Sequence, residues 1–177
     1  VRTFHTRFDG LAHAMEALAI DTLSGALFDL GVSSYQLDAA ERGFSYRFAA
    51  PLDMRMDTEQ QWSAADVVNG YPLDELTRRI AAAIVAARPI ETTTELAEIV
   101  VGAIPAPARR TGGHPAKRTF QAIRIEVNGE LDVLPGALDT AIDRTSPTGR
   151  IAVLSYHSGE DRIVKARFRE ASTGGCL

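Results

Sequence analysis

The order of the elements along this chain predicts an α/β fold with a mainly parallel sheet and a helical insertion. Two apolar runs, "GALFDL" at residues 25–30 and "RIAVLSY" at residues 150–156, have the length and composition of buried strands. Helical patterns separate the two runs, and another helical pattern follows the second run. Strands that alternate with helices are typical of parallel sheets, because each connection crosses over through a helix.

The chain begins with a predicted helix before the first strand. Leu11, Met15 and Leu18 recur at helical spacing within residues 9–19. After the first strand, residues 42–61 mix aromatic, basic and acidic side chains without a period. A loop of this length inside a compact domain is usually functional.

Short helices are predicted after this loop. Capping-box patterns occur at Ser63 with Asp66 and at Thr92 with Glu95, and Pro72 is suited to open a helix between them. The apolar residues expected to share one face of that middle helix are Leu73, Leu76, Ile80 and Ile84.

The composition divides the chain into a core and an insertion. The stretch "PAPARRTGGHPA" after the third short helix is a linker by composition. Residues 54–108 are therefore predicted to form an inserted helical domain, and residues 1–53 together with 109–177 are predicted to form the core.

Helices and the second strand follow the linker. Pro135 is expected to interrupt and restart a helix, and "SPTGR" at residues 146–150 is predicted to form a turn. The stretch "GEDRIVKARFRE" is predicted to form a basic helix after the second strand. The apolar residues that share one face before the restart are Phe120, Ile123, Val127, Leu131 and Leu134.

The composition favours a soluble globular protein. Hydrophobic residues make up 45% of the chain and charged residues 24%. No apolar run approaches the roughly 20 residues that cross a bilayer, and residues 1–10 lack the apolar centre of a signal peptide. We therefore expect a cytoplasmic protein without a membrane partner. The single cysteine, Cys176, cannot form an internal disulfide, and no spacing of Cys and His predicts a metal site.

The charge is distributed unevenly along the chain. Residues 1–108 have a formal charge of −7 and residues 109–177 a charge of +3. A basic surface can bind phosphates, because neutralising them releases counterions. The alternative is a solvated helix face without a partner.

Polar residues follow both predicted strands, in "FDLGVSS" and "LSYHSGED". In open parallel sheets, ligands bind beyond the carboxyl ends of the strands. Asp29 could accept hydrogen bonds from an amino group, and Gly31 would let the backbone approach a ligand closely. The two strand ends are therefore the predicted functional site.

Further polar groups surround these residues in the sequence. Ser33, Ser34 and Gln36 follow Asp29, and His157 would face them if the two strands are neighbours. Each has a structural alternative as well, because serine and aspartate often cap turns and histidine can be a hydrogen-bonded core residue. A Ser-His-Asp hydrolase is disfavoured, because "GVSSY" lacks the second glycine of a nucleophile elbow.

Three long blocks of the sequence are distinctive: "LFDLGVSSYQLDAAERGFSYRFAAPLDMRMD", "HPAKRTFQAIRIEVNGEL" and "RIAVLSYHSGEDRIVK". They closely resemble the bacterial RsmH (MraW) family, the S-adenosylmethionine-dependent methyltransferases of small-subunit ribosomal RNA. The resemblance implies a Rossmann-type methyltransferase core with a helical insertion and S-adenosylmethionine as the cofactor. It also implies N4-methylation of one cytidine in the decoding region of 16S rRNA, with that RNA or the small ribosomal subunit as the partner. A homodimer is an option that the sequence leaves open.

The resemblance also implies particular contacts. The cofactor contacts of the family fall on Phe8, Asp29 and Gln36, and Gly31 lies in the same turn. The pieces that resemble the RNA-facing parts of the family are the loop "GGHPAKRTF" and the stretch "DMRM". The predicted RNA-binding residues are Arg55, His114, Lys117 and Arg118.

The implied reaction assigns roles to the strand ends. The exocyclic amine of cytosine is a poor nucleophile, because its lone pair is delocalised into the ring. Oxygens of the turn from Asp29 to Ser34 are predicted to hold this amine in line with the methyl sulfonium. A carboxylate, His157 or water could take the proton. The predicted catalytic residues are Asp29, Ser33, Ser34 and His157. Phe44, Tyr46 and Phe48 either stack on an unstacked base or pack in the core.

Two features of the family pattern are not found. The glycine-rich turn for the methionine end of the cofactor is missing, since no G-x-G occurs in the first 30 residues. The family also has a longer stretch where this chain has "LTRRIAAAI". We therefore expect that residues are missing before Val1 and between Arg78 and Arg79. One alternative is a truncated, catalytically incomplete RNA-binding or assembly module of the same fold, and another is a methyltransferase that acts on DNA or protein.

Overall fold

The computed structural model describes residues 1–70, 78–110 and 113–173. The chain divides into two compact units, each with its own hydrophobic core. The sheet unit comprises Val1–Gly31 and the chain from Gly129 onward, and the helical unit comprises Val32–Asn128.

Helices dominate the described part of the chain. They are α1 (Leu11–Ala17), α2 (Ser34–Asp38), α3 (Ala64–Gly70), α4 (Arg78–Ala87), α5 (Thr93–Ala103), α6 (Lys117–Asn128), α7 (Glu130–Arg144) and α8 (Ser158–Thr173). The strands are β1 (Leu23–Asp29) and β2 (Thr145–Leu154). Short 3-10 turns occur at Phe8–Gly10, Ala40–Arg42 and Ala108–Arg110.

Strands β1 and β2 are parallel neighbours, and they end side by side. Asp29 lies opposite Leu154, and the backbone N–H of Leu30 donates to the carbonyl of Leu154 at 3.0 Å. The register is irregular just before Gly25. A Cβ atom at Gly25 would lie 2.8 Å from the carbonyl oxygen of Arg150, so only glycine allows this close approach. The predicted α/β class with a parallel sheet is confirmed.

The core of the sheet unit fixes the positions of the strand ends. Phe28 and Leu30 are buried against Leu134 and Leu138 of α7. Leu27, the residue before Phe28, points to the opposite face of the strand and is 69% exposed. Burial of a large apolar side chain contributes about 1.5–3 kcal/mol, so this layer holds the end of β1 against α7.

The helical unit packs its long irregular segment into its own core. Phe44, Leu52 and Met54 are buried together with Leu96 of α5 and Phe120 of α6. The loop predicted at residues 42–61 therefore contributes side chains to a packed core and is anchored to it.

Local signals at the helix starts are confirmed. Thr92 Oγ1 accepts from the backbone N–H of Glu95 at 3.3 Å, and the Glu95 carboxylate accepts from the N–H of Thr92 at 3.1 Å. At the start of α3, the carboxylate of Asp66 accepts from the N–H of Ser63 at 2.8 Å. Both arrangements satisfy N–H groups that a helix start leaves without helical partners.

The predicted helix break at Pro135 is wrong. The break occurs at Gly129, which has a φ of +59° between α6 and α7. Glycine adopts this left-handed conformation at little cost, whereas Pro135 lies inside α7, where packing by Leu134 and Leu138 offsets one lost backbone hydrogen bond. The turn predicted at residues 146–150 falls within the bounds of β2, at the irregular part of its pairing: Thr145 lies opposite Leu23 and Arg150 opposite Gly25, so residues 146–149 bulge out of the ladder.

The compact units differ from the predicted domains. Residues 32–53 and 109–128 belong to the helical unit, because Phe44 and Phe120 pack in its core. The predicted domains, a core of residues 1–53 and 109–177 with an insertion of residues 54–108, stay a prediction.

Some predictions fall outside the described residues or stay open. Leu73, Leu76 and Cys176 lie outside the described residues. Arg78 and Arg79 are consecutive in α4, and a segment missing between them stays a prediction. Within the described ranges, no helix combines the length and the apolar character that a membrane span needs.

Candidate active site at the strand ends

The carboxylate of Asp29 is held at the end of β1 by a hydroxyl from the neighbouring strand end. The Tyr156 hydroxyl donates to Asp29 Oδ1 at 2.9 Å, across 127 residues of sequence. This hydrogen bond and the negative charge of Asp29 raise the pKa of the Tyr156 hydroxyl. Asp29 is exposed, so its carboxylate is open to a ligand while one oxygen is fixed.

The turn after β1 begins with a left-handed residue. Gly31 has a φ of +86°, a conformation that residues with a Cβ adopt rarely. A Cβ atom there would lie 3.8 Å from the Tyr156 ring, so Gly31 and Tyr156 line the same corner beside Asp29. The predicted grouping of Asp29 with Gly31 therefore gains Tyr156 as a neighbour.

His157 caps the helix that follows β2. Its Nδ1 accepts from the backbone N–H of Gly159 at 3.2 Å, so the neutral ring carries its proton on Nε2. Nε2 lies 3.2 Å from Glu160 Oε1, but the angle is not that of a hydrogen bond. Nε2 therefore has no hydrogen-bond partner among the described residues. Both ring nitrogens thus face groups of the α8 start. A catalytic role of His157 stays a prediction.

Glu160 connects this cap to Tyr156. It is 2% exposed, and its Oε2 accepts from the backbone N–H of Tyr156 at 2.9 Å. A buried carboxylate needs such partners to offset its lost hydration. Glu160 therefore fixes the backbone that carries the Tyr156 side chain.

Phe8 lies beside β1 in the same unit. Its ring meets the Phe28 ring edge-on, with centroids 5.8 Å apart, and Phe28 precedes Asp29 in the strand. Phe8 also lines an open hollow of about 340 Å³ together with Leu11 and Leu27. An exposed aromatic ring of this kind is suited to cover one face of an adenine. Contact of Phe8 with a cofactor stays a prediction.

Ser33, Ser34 and Gln36 belong to the helical unit, at the start of α2. Ser33 Oγ accepts from the N–H of Gln36 at 3.3 Å, and the Gln36 side chain accepts from the N–H of Ser33 at 2.9 Å. The pair forms a capping box, while Ser34 is exposed. Helix capping, the structural alternative to a functional role, thus explains the presence of Ser33 and Gln36. Contacts of Ser33, Ser34 and Gln36 with a ligand stay predictions.

Arg55 is engaged within its own loop. Its guanidinium donates to both carboxylate oxygens of Asp53, at 2.7 and 3.0 Å, and to the carbonyls of Thr58 and Gln60. The hydrogen bonds from Arg55 hold the pKa of the Asp53 carboxyl below its ordinary value. The geometry gives Arg55 an organising role in the loop, and RNA contact by Arg55 stays a prediction.

His114, Lys117 and Arg118 are exposed near the start of α6 in the helical unit. In the described part of the chain, neither Lys117 nor Arg118 makes an ion pair. Unpaired cations can bind phosphates, so RNA binding at these positions stays a prediction.

Two residues of the strand-end site were not predicted. Tyr156 and Glu160 both lie in the quoted stretch "LSYHSGED", and Glu160 is the third residue of α8, where a capping carboxylate is common. That spacing was the available signal for Glu160. Over residues 1–70, 78–110 and 113–173, no cluster of His, Cys, Asp and Glu is arranged to hold a metal ion.

Comparison with known proteins gives a consistent family. The model of the MraW methylase family matches residues 1–176. A protein named ribosomal RNA small subunit methyltransferase H from Thermobifida fusca is 55% identical over 96% of this chain and 56% of its own length. Proteins of the same name from Mycobacterium sp. (strain KMS) and Lachnospira eligens are 53% and 55% identical, over 97% and 88% of this chain. The chain spans about half the length of the curated relatives it matches.

Proposed function

Because the chain belongs to the MraW methylase family, we propose that it forms the catalytic strand ends of an S-adenosylmethionine-dependent methyltransferase of 16S rRNA. The modified atom is the exocyclic N4 of one cytidine in the decoding region. The observation that carries the proposal is the exposed Asp29 carboxylate, fixed by Tyr156 where two parallel strands end. Ligands of open parallel sheets bind at this edge.

The residues of the sheet unit fit parts of the cofactor. Phe8 offers an exposed ring face for the adenine, and Gly31 carries no side chain, so the backbone beside the Tyr156 ring can be approached closely. Asp29 offers a carboxylate to donor groups. When bound, S-adenosylmethionine supplies an electrophilic methyl group on a sulfonium.

Asp29 acts on the amine of the target base. Its free oxygen accepts a hydrogen bond from the N4 hydrogens and orients the nitrogen for an in-line displacement. The bound cofactor would supply the methyl group for this displacement, and the amine would lose one proton. Tyr156 occupies the other carboxylate oxygen, so it limits the rotation of Asp29. Asp29 or water then receives the proton, because both nitrogens of His157 face its own helix start.

The test measures methyl transfer to small ribosomal subunits and to naked 16S rRNA that lacks the modification. Nucleosides from the product are identified by mass spectrometry, and N4-methylcytidine is the expected product. Asp29→Ala should lower the rate by about 10²-fold or more, as loss of a group that acts on the transferred proton does. The matched control is Asp21→Ala, which removes an exposed carboxylate just before β1.

Two outcomes would contradict the proposal. One is full cofactor affinity and full methylation by Asp29→Ala, and the other is a methylated product other than N4-methylcytidine. The competing function is an RNA-binding or assembly module that is catalytically incomplete. That function predicts RNA binding without any heat of S-adenosylmethionine binding in calorimetry.

A further inference from the structure

A column of three aromatic rings leads from the core of the helical unit to its surface. Phe120, at the inner end, is 4% exposed. The Tyr46 ring meets the Phe120 ring edge-on, with centroids 5.5 Å apart and an interplanar angle of 83°. The His114 ring is stacked on Tyr46, with centroids 4.3 Å apart and an angle of 15°. The outermost ring, His114, is exposed.

The orientation of His114 is fixed by its own turn. Its Nδ1 accepts from the backbone N–H of Ala116 at 3.2 Å, and its carbonyl accepts from the N–H of Lys117 at 3.0 Å. Ala116 is fully buried and anchors the turn in the core. One ring face covers Tyr46, so the exposure of His114 comes from its opposite face and edge. The protein thus presents a flat ring face to solvent without needing a ligand to arrange it.

Two cations follow this ring three and four residues later in the chain. Lys117 and Arg118 are exposed in the first turn of α6, and no carboxylate among the described residues pairs with either. A fixed ring face beside unpaired cations has the chemistry of a nucleotide site, since bases stack on flat rings and phosphates bind cations. A base inside a duplex already has both faces stacked, so only an unpaired base has a face available.

We propose that the outer face of His114 is a stacking platform for one unpaired RNA base, whose neighbouring phosphates contact Lys117 and Arg118. Tyr46 supports the platform from below and does not itself contact the base. This inference rests on the proposed function for its choice of RNA as the ligand. It adds a role for the ring column that the activity at the strand ends does not require.

The test uses a short single-stranded RNA that carries the fluorescent base 2-aminopurine, without cofactor. Stacking on His114 should quench the fluorescence on binding. His114→Ala should weaken binding about tenfold and remove the quenching. His114→Phe keeps a flat ring and should restore both signals, which a merely structural loss would not do.

The cations are tested separately by salt. Lys117→Gln should reduce the slope of log affinity against log salt by about 0.7 and leave the quenching at saturation unchanged. The control is Lys165→Gln, which removes a cation that is paired with Asp161 and should change neither signal. Circular dichroism confirms that each variant is folded.

Several results would overturn the inference. They are full quenching by His114→Ala, failure of folded His114→Phe to restore it, or an unchanged salt slope in Lys117→Gln. If His114→Ala does not fold, the Phe and Lys117 variants still decide. The proposed function and the platform can fail separately. If the wild type quenches the fluorescence but does not methylate RNA, the enzyme is refuted and the platform is not. If the wild type methylates RNA and His114→Ala still quenches the fluorescence, the platform is refuted and the enzyme is not.

Discussion

At the scale of single residues, the strand-end site depends on one hydroxyl that holds one carboxylate. Tyr156 is 71% exposed, so packing does little to fix its ring. Its position follows instead from the backbone hydrogen bond to Glu160 and from the hydroxyl bond to Asp29. The pair is therefore an orienting device whose effect should be visible in the titration of the phenol.

We expect Asp29→Asn to lower the pKa of Tyr156, because the hydrogen bond to the charged carboxylate and its negative charge are what raise that pKa. The folded pKa lies above the unfolded value of about 10, so the stabilising effect is complete below that pH and is lost as pH rises through the folded pKa. Ultraviolet titration of the phenolates measures this.

The chain has four tyrosines, so the Tyr156 step must be assigned. Tyr156→Phe should remove one step at the alkaline end of the wild-type curve. Identical curves for the wild type and Asp29→Asn would show that the hydrogen bond is not maintained in solution.

The sequence predicted Asp29 and Gly31 but not Tyr156, and the reason is physical. Asp29 and Gly31 are marked by a carboxylate and a glycine at the end of an apolar run, which is local information. The contact with Tyr156 depends on the register of β1 against β2, and register is set by packing across the sheet. The engagement of Arg55 with Asp53 and nearby carbonyls likewise depends on how a long loop closes.

At the scale of elements, helix starts carry the clearest local chemistry. The N–H groups of Glu91 and Thr92 donate to the Glu95 carboxylate and hold its pKa below the ordinary value of 4.5. Its stabilising effect is present above the unfolded pKa and is lost as pH falls through the folded pKa. Helix α5 should therefore carry part of the acid sensitivity of the helical unit.

We expect Glu95→Gln to reduce the fall in melting temperature between about pH 6 and pH 3, because glutamine keeps a capping oxygen but does not titrate. Thr92→Ala should instead lower the free energy of unfolding by about 0.5–2 kcal/mol at neutral pH. Thermal unfolding followed by circular dichroism measures both effects. An unchanged acid slope in Glu95→Gln would assign the sensitivity to other carboxyls, such as Asp53.

The helix ends were predicted well where capping residues and periodicity determine them, and less well where packing determines them. Thr92 with Glu95 marks the start of α5 within a few residues of sequence. The break at Gly129 rather than Pro135 reflects a competition that the sequence does not resolve, between a left-handed glycine and a proline tolerated inside a packed helix.

At the scale of the whole molecule, the two units are separable by their cores. The buried core of the helical unit consists of its own residues, from Phe44 through Leu96 to Val127. Domains with their own core can in principle fold alone. The helical unit should therefore fold without the sheet unit.

We expect residues 32–128, expressed alone, to show helical circular dichroism and a cooperative thermal transition. Leu96→Ala should lower the free energy of unfolding by about 2–5 kcal/mol both in this piece and in the full chain, because Leu96 is fully buried in the core of the unit. A gradual transition without a midpoint in the excised piece would show that its core needs the rest of the chain.

Glycines in left-handed conformations stand at both places where the chain passes between the units, Gly31 with a φ of +86° and Gly129 with a φ of +59°. The two cores have no residue in common. A lineage can therefore remodel the 32–128 core by successive substitutions without compensating changes around Phe28 and Leu138. The two parts are free to drift at separate rates, while the glycines at the crossing points stay under constraint.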